Sequence, residues 1–227
     1  MITIAVVGLN FGRHVCDEIA RDPACRQIRL AAVCDLDAAK AEAEGVKRGV
    51  PWTGDLDCLL ADPSIPAIGL FTGPDGRAAL IRRCLAAGKH VMTTKPFERD
   101  PALAAAVLEE AARAGLTLHA NSPSPGSPDL ALIREWLAKR DLGRVVAARV
   151  EVWADYREQA DGSWYDDPGR CPVPPVYRLG IYLINDLVAL LGRPPVLALT
   201  ATAPPEVQAD VIEQLGLDAP VRLIHGI

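Results

Sequence analysis

Apolar and polar positions follow two rhythms along this chain. Ile2-Thr-Ile-Ala-Val-Val7 is a β-branched run, the pattern of a strand buried on both faces of a parallel sheet. From Phe11 to Ala20 the apolar residues fall instead at helical spacing. The alternation repeats: a strand over 30–35, an alanine-rich helix to about Gly49, and a short helix over 55–61 that ends at Asp62-Pro63. A strand over 67–72, a helix over 77–87 stopped by Gly88, and a strand over 90–93 follow. Asp100-Pro101 is a helix start, with aspartate as N-cap and proline in the first helical position, and Gly115 closes that helix before a strand over 116–120. Such unbroken β-α-β order predicts an α/β first domain, a doubly wound parallel sheet of the Rossmann type over residues 1–121.

Asn121-Ser-Pro-Ser-Pro-Gly-Ser-Pro128 has the composition of a connector and sets the domain boundary. Beyond it, over 122–227, the patterns predict a helix at 129–139, a strand at 145–153, a polar proline-rich loop to Pro175, an apolar helix at 177–191, a strand at 196–202 and a short tail.

The 227 residues are half hydrophobic, enough for a packed core in one large or two modest domains. A net charge of −5 with no basic run argues against nucleic acid or an anionic membrane as the main partner. The first strand begins at residue 2 without a basic leader, and no apolar stretch is long enough to span a bilayer, so the cytoplasm is the expected location. Cysteines at 16, 25, 34, 58, 84 and 171 form no C-x-x-C pair and read as reduced thiols. His14 and His119 read as structural, and no metal-ligand constellation is expected.

The chemistry concentrates where strands end. Gly8 permits a tight turn after the first strand, and the loop from Gly8 to Gly12 leads into a helix N-terminus, whose unpaired N–H groups attract pyrophosphate. The spacing departs from G-x-G-x-x-G: Gly8 and Gly12 enclose Leu9-Asn10-Phe11, and Asn10 stands in place of the middle glycine, a residue tolerant of left-handed backbone. Asp35 ends the second strand 23 positions after Gly12, near the spacing of a ribose-binding acid. Its carboxylate would repel a 2′-phosphate and Leu36-Asp37 supplies no arginine, so NAD(H) is preferred over NADP(H). An ordinary strand-helix-strand with a solvated acid shares the pattern and ranks below the cofactor site.

Several motifs in order then resemble the Gfo/Idh/MocA oxidoreductase family. They are the opening glycine loop, Asp35, Thr72-Gly-Pro74, Ala87-Gly-Lys-His-Val91, Lys95-Pro96, Leu142-Gly-Arg-Val145 and Leu179-Gly-Ile-Tyr182. The resemblance implies a Rossmann domain joined to an α/β substrate domain built on an open sheet, here a truncated α+β domain because family members continue well beyond Ile227. It implies cofactor contacts from Gly8, Asn10, Phe11, Gly12, Asp35, Thr72, Pro74 and Lys95. It also implies a catalytic role for Lys95, matching the lysine of the family's E-K-P motif, and for Tyr182, matching a D-x-G-x-Y-x-x-N variant found near glucose–fructose oxidoreductase and dihydrodiol dehydrogenase. Oxidising an alcohol requires a group that takes the hydroxyl proton, and a lysine cation beside a tyrosine favours that role. A core helix whose tyrosine reaches a backbone partner is the competing reading.

Asn121, Trp164, Asp167, Arg178 and Asn185 are the candidate substrate contacts. Trp164 and Asp167 belong to a W-x-x-D-P segment, where the tryptophan would stack on a sugar and the acid would bind hydroxyls. Asn185 lies three residues after Tyr182 on one helix face. Thr94 and Arg178 stand where the family motifs carry acids, and Arg178 offers a planar fork to a substrate carboxylate or phosphate. The expected function is NAD(H)-dependent hydride transfer to or from a secondary alcohol of a sugar or polyol, with a homo-oligomer among the expected assemblies. The alternative is a non-catalytic cofactor-binding regulatory or scaffold protein of the same descent.

Overall fold

The computed structural model describes residues 1–21, 27–121, 127–139, 143–153, 159–160, 162–171, 176–192 and 209. Six parallel strands form one sheet in the order β3-β2-β1-β4-β5-β6. They are β1 Ile2–Val7, β2 Ile28–Cys34, β3 Trp52–Thr53, β4 Ala67–Leu70, β5 His90–Thr94 and β6 Leu118–Asn121. Helices α1 Leu9–Arg21, α2 Ala38–Arg48, α3 Leu56–Leu60, α4 Arg77–Ala86 and α5 Pro101–Arg113 connect them. This is the doubly wound Rossmann arrangement, and the strand order reverses between β1 and β4, where such sheets bind ligands beyond their carboxyl ends.

Side chains of a strand alternate between its faces, and both faces of this sheet are apolar. Ala5, Val7, Ala32 and Cys34 join Leu59, Ile68, Leu70, Ile81, Val91 and Val107 in one core cluster. Their neighbours Val6 and Val33 join Leu9, Cys16, Ala41 and Phe71 in the other. Each fully buried valine or leucine contributes about 1.5–3 kcal/mol of transfer free energy, so the continuous β-branched runs are what hold the layers together. Aspartates fix where helices begin. Asp37 accepts from the Lys40 N–H at 3.1 Å, and Asp100 accepts from the Ala102 and Leu103 N–H groups at 2.8 and 3.0 Å.

Several boundaries differ from the sequence reading. Helix α1 begins at Leu9, directly after Gly8, so residues 9–12 form a helical turn in place of a loop. Gly8 alone adopts positive φ there, at 85°, and right-handed Asn10 has no need of left-handed tolerance. The two-residue β3 was too short to carry a periodicity. Residues 145–153 carry no strand pairing among the described residues, and Val146 and Trp153 are 87% and 89% exposed, without the buried face that holds a strand in a sheet. Helix α6 spans Pro128–Lys139, and the last helix, α7 Ile181–Leu191, is preceded by a π turn over Val176–Gly180. The expected strand at 196–202, the tail and most of the connector, 122–126, lie outside the described residues.

Candidate active site

The site opens at the end of β1. A Cβ on Gly8 would stand 2.8 Å from the Phe71 carbonyl carbon and oxygen and 2.9 Å from the Thr72 nitrogen, so only glycine lets the chain turn there into α1. A Cβ on Gly12 would meet Val6 Cγ1 at 2.7 Å, which makes Gly12 the close-packing glycine between helix and strand. Of the first N–H groups of α1, that of Leu9 donates to Asp35 Oδ2 at 2.7 Å and that of Gly12 to the Gly8 carbonyl at 3.0 Å. Those of Asn10 and Phe11 have no intrahelical acceptor, as expected of a first turn, and point the positive end of the helix dipole toward the cavity.

Asp35 does more than end β2. Besides the Leu9 N–H it accepts from the Asp37 N–H at 3.0 Å, so its carboxylate ties the two strand-to-helix turns together. Lys40, reaching back from the first turn of α2, donates to Asn10 Oδ1 at 2.8 Å and lies 3.9 Å from Asp35 Oδ1. Leu36 and Asp37 beside Asp35 offer no cation, and a helical turn brings Lys40 in from further along.

At the other end stand the carboxyl ends of β4 and β5. The ammonium of Lys95 donates to the Arg178 carbonyl at 2.7 Å and lies 5.0 Å from the centre of the Tyr182 ring. Burial, and then the charge of Arg178, hold its pKa below the ordinary lysine value. The Arg178 guanidinium itself lies over the Tyr165 ring, 4.5 Å from its centre. Trp164 packs on Tyr165 with ring centres 3.8 Å apart and rests against Gly73. Asp75, just after that turn, accepts from Arg99 Nη1 and Arg170 Nε at 2.8 and 2.6 Å, and Arg99 also reaches the Gly169 carbonyl. These bonds fasten residues 162–171 across the strand ends.

One cavity of about 940 Å³ joins both ends, a volume in the upper range of small-molecule and cofactor sites. Gly8, Asn10, Phe11, Asp35, Thr72, Lys95, Trp164, Arg178 and Tyr182 line it. Other expected residues are not among its described lining. Pro74 is fully buried beneath the turn, and Gly12 is packed on Val6. Asp167 turns its carboxylate to the Gly169 N–H at 2.8 Å, and its neighbour Asp166 lines the cavity instead. Asn121 pairs beside Thr94 at the sheet edge, and Asn185 lies one turn past the cavity wall on α7. The sequence reading missed Arg13, Phe71, Arg77 and Lys40. Arg77 alone carried a signal, a charged residue on the buried face it shares with Ala78, Ile81 and Cys84.

The residues present fit a dinucleotide: a helix N-terminus with two open N–H groups, an acid at the end of β2, and a lysine at the far end of one continuous cavity. Comparison with known proteins agrees. The Gfo/Idh/MocA family model, an oxidoreductase family with an NAD-binding Rossmann fold, matches residues 2–122. The chain is 29% identical to the oxidoreductase YhhX of Escherichia coli over 166 residues, 73% of this chain and 46% of that protein. It is 34% identical to galactose 1-dehydrogenase of Pseudomonas fluorescens over 137 residues, 58% of this chain and 40% of that one. The crystal structure of GenD2 from gentamicin A biosynthesis, in complex with NAD, shares the fold with a TM-score of 0.68 at 20% identity, over 85% of this chain and 54% of that one. The chain therefore spans less than half the length of these two curated relatives. With the family match extending over more than half of its residues and the glycine turn, Asp35 and Lys95 gathered on one cavity, the chain belongs to the Gfo/Idh/MocA oxidoreductase family.

Proposed function

We propose that this chain is an NAD(H)-dependent oxidoreductase that moves a hydride between the nicotinamide and a secondary alcohol of a sugar or polyol. The observation that carries this reading is the Lys95 ammonium over the Tyr182 ring, in the same cavity that Gly8, Asn10 and Asp35 open at its other end. The N–H groups of Asn10 and Phe11 would hold the pyrophosphate, Asp35 the ribose hydroxyls, and Thr72 and Lys95 the nicotinamide end. The bound cofactor supplies the hydride acceptor or donor. Tyr182 takes the hydroxyl proton on oxidation, and Lys95 stabilises the negative charge that grows on the substrate oxygen. Only one donor of Lys95 is used within the described residues, by the Arg178 carbonyl, which leaves the ammonium free to bind a substrate oxygen as well. Trp164 offers a ring face to a sugar, and the Arg178 fork suits an acidic substituent. Similarity to a galactose 1-dehydrogenase supports a sugar substrate.

A calorimetric titration with NADH and NADPH, followed by turnover on a panel of sugars and polyols, tests the reading. Tighter NADH binding that is lost in Asp35→Ala, with turnover lost in Lys95→Ala and Tyr182→Phe, is the expected result. Cofactor binding without turnover on any polyol would favour the regulatory alternative, and absence of binding to either nucleotide would overturn both.

A further inference from the structure

We infer that Arg77 is a positioning residue that fixes the Lys95 turn against the end of β4. The inference rests on the proposed role of Lys95 and concerns a residue outside the expected site. Strand ladders stop at the active end of a parallel sheet, so the carbonyl groups just beyond β4 and β5 lose their pairing partners. Arg77, 1% exposed at the start of α4, gathers them. Its Nη1 donates to the Thr94 carbonyl at 2.6 Å, to the Pro96 carbonyl, and to that of Phe97 at 3.3 Å. Its Nη2 donates to the Thr72 carbonyl.

Thr94 and Pro96 are the two neighbours of Lys95, so one guanidinium grips the backbone on both sides of it and links that turn to Thr72 on the next strand end. A planar fork with five donors suits this task, and a lysine with one ammonium cannot span it. Burial pushes the Arg77 pKa down to about 10, offset in part by Glu98, which leaves the group charged at neutral pH. Glu98 in turn accepts from the Ala78 N–H at 2.8 Å, fastening the same loop to α4. Arg77 itself lines the cavity.

The arrangement holds the ammonium in its half-buried place, facing Arg178 from the turn before α7 and Tyr182 from α7. Arg13, Asp35, Tyr165 and Asp166 are the other titratable groups among the described residues of the cavity wall.

The test uses Arg77→Lys and Arg77→Met in the full chain. Each is assayed by thermal melt, by NADH titration, by steady-state turnover, and by the pH dependence of Lys95 acetylation read by peptide mass spectrometry. Expected are cooperative melts, NADH affinity within about twofold of wild type, and kcat lower by about 10²-fold, the scale of an ångström-sized misplacement. The midpoint of Lys95 labelling should also rise toward that of a solvated lysine in both variants. Arg77→Lys keeps a cation, so a rise there reports geometry and not charge.

Unchanged labelling midpoint and kcat in either folded variant would overturn the inference. So would failure of both variants to melt cooperatively, which would make Arg77 a support of the whole fold. Labelling needs no turnover: a wild-type chain inactive on every polyol would sink the proposed function and still leave the midpoint to decide the role of Arg77.

Discussion

Gly8 and Lys40 set the conditions at the nucleotide end. At φ 85°, with backbone atoms of Phe71 and Thr72 less than 3 Å from where a Cβ would stand, Gly8 has no substitute. Gly8→Ala is expected to destabilise the chain by roughly 2–5 kcal/mol, combining left-handed strain and overpacking. Urea unfolding measures this, and a change under about 0.5 kcal/mol would contradict the turn. Lys40 acts on specificity. Its ammonium near Asp35 offsets part of the charge that, in the proposed function, selects against a 2′-phosphate, so discrimination between the two cofactors should be narrower than Asp35 alone would give. Lys40→Ala should weaken NADPH binding about tenfold, the size of one charge-assisted contact, and leave NADH nearly unchanged. Equal weakening of both nucleotides would assign Lys40 to the Asn10 turn alone.

At the scale of elements, the segment over 162–171 is fastened by charge at Asp75. Burial raises the Asp75 pKa, but the bonds from Arg99 and Arg170 outweigh that and hold it below its ordinary 3.8. A depressed carboxylate gives its contribution in full above the ordinary value and loses it as pH falls through the lowered one. The strap should therefore stay closed at pH 4 and open only under stronger acid. Asp75→Asn should open it at neutral pH: hydrogen exchange over 162–171 rises while the melting temperature hardly moves, because partly exposed ion pairs contribute little to global stability. Protection unchanged in that variant would place the fastening in Trp164 and Gly73 instead. The caps, Asp37, Asp55 and Asp100, are different in kind; Asp100 was legible before its proline, Asp37 and Asp55 emerge from the structure, and losing one costs about 1 kcal/mol.

For the molecule as a whole, both apolar clusters draw their buried members from within residues 5–107. Residues 1–121 expressed alone should melt cooperatively and keep NADH binding, while turnover should vanish with Tyr182 and Arg178. A fragment without a cooperative melt would make the later segments part of the folding unit. The same division explains how far the sequence could be read. Periodicity located β1, β2, β4 and β5 and helices α1 to α5 within a few residues, since in a doubly buried sheet nearly every strand position must be apolar. It departed from the structure at 145–153, which carry no strand pairing among the described residues, and at β3, which two residues define.

The order of strands and helices, the glycine turn, the acid at the end of β2 and the lysine before Pro96 were fixed by local sequence, because each depends on backbone sterics, capping or burial within one short stretch. Tertiary structure alone decided that Lys40 reaches Asp35, that Asp166 and not Asp167 faces the cavity, and that Arg77 grips the turn of Lys95. Those contacts join residues whose spacing along the chain follows no repeat. They arise because a parallel sheet brings the ends of separate strands together on one side, where the carbonyl and N–H groups left unpaired take whatever side chain the neighbouring helix presents.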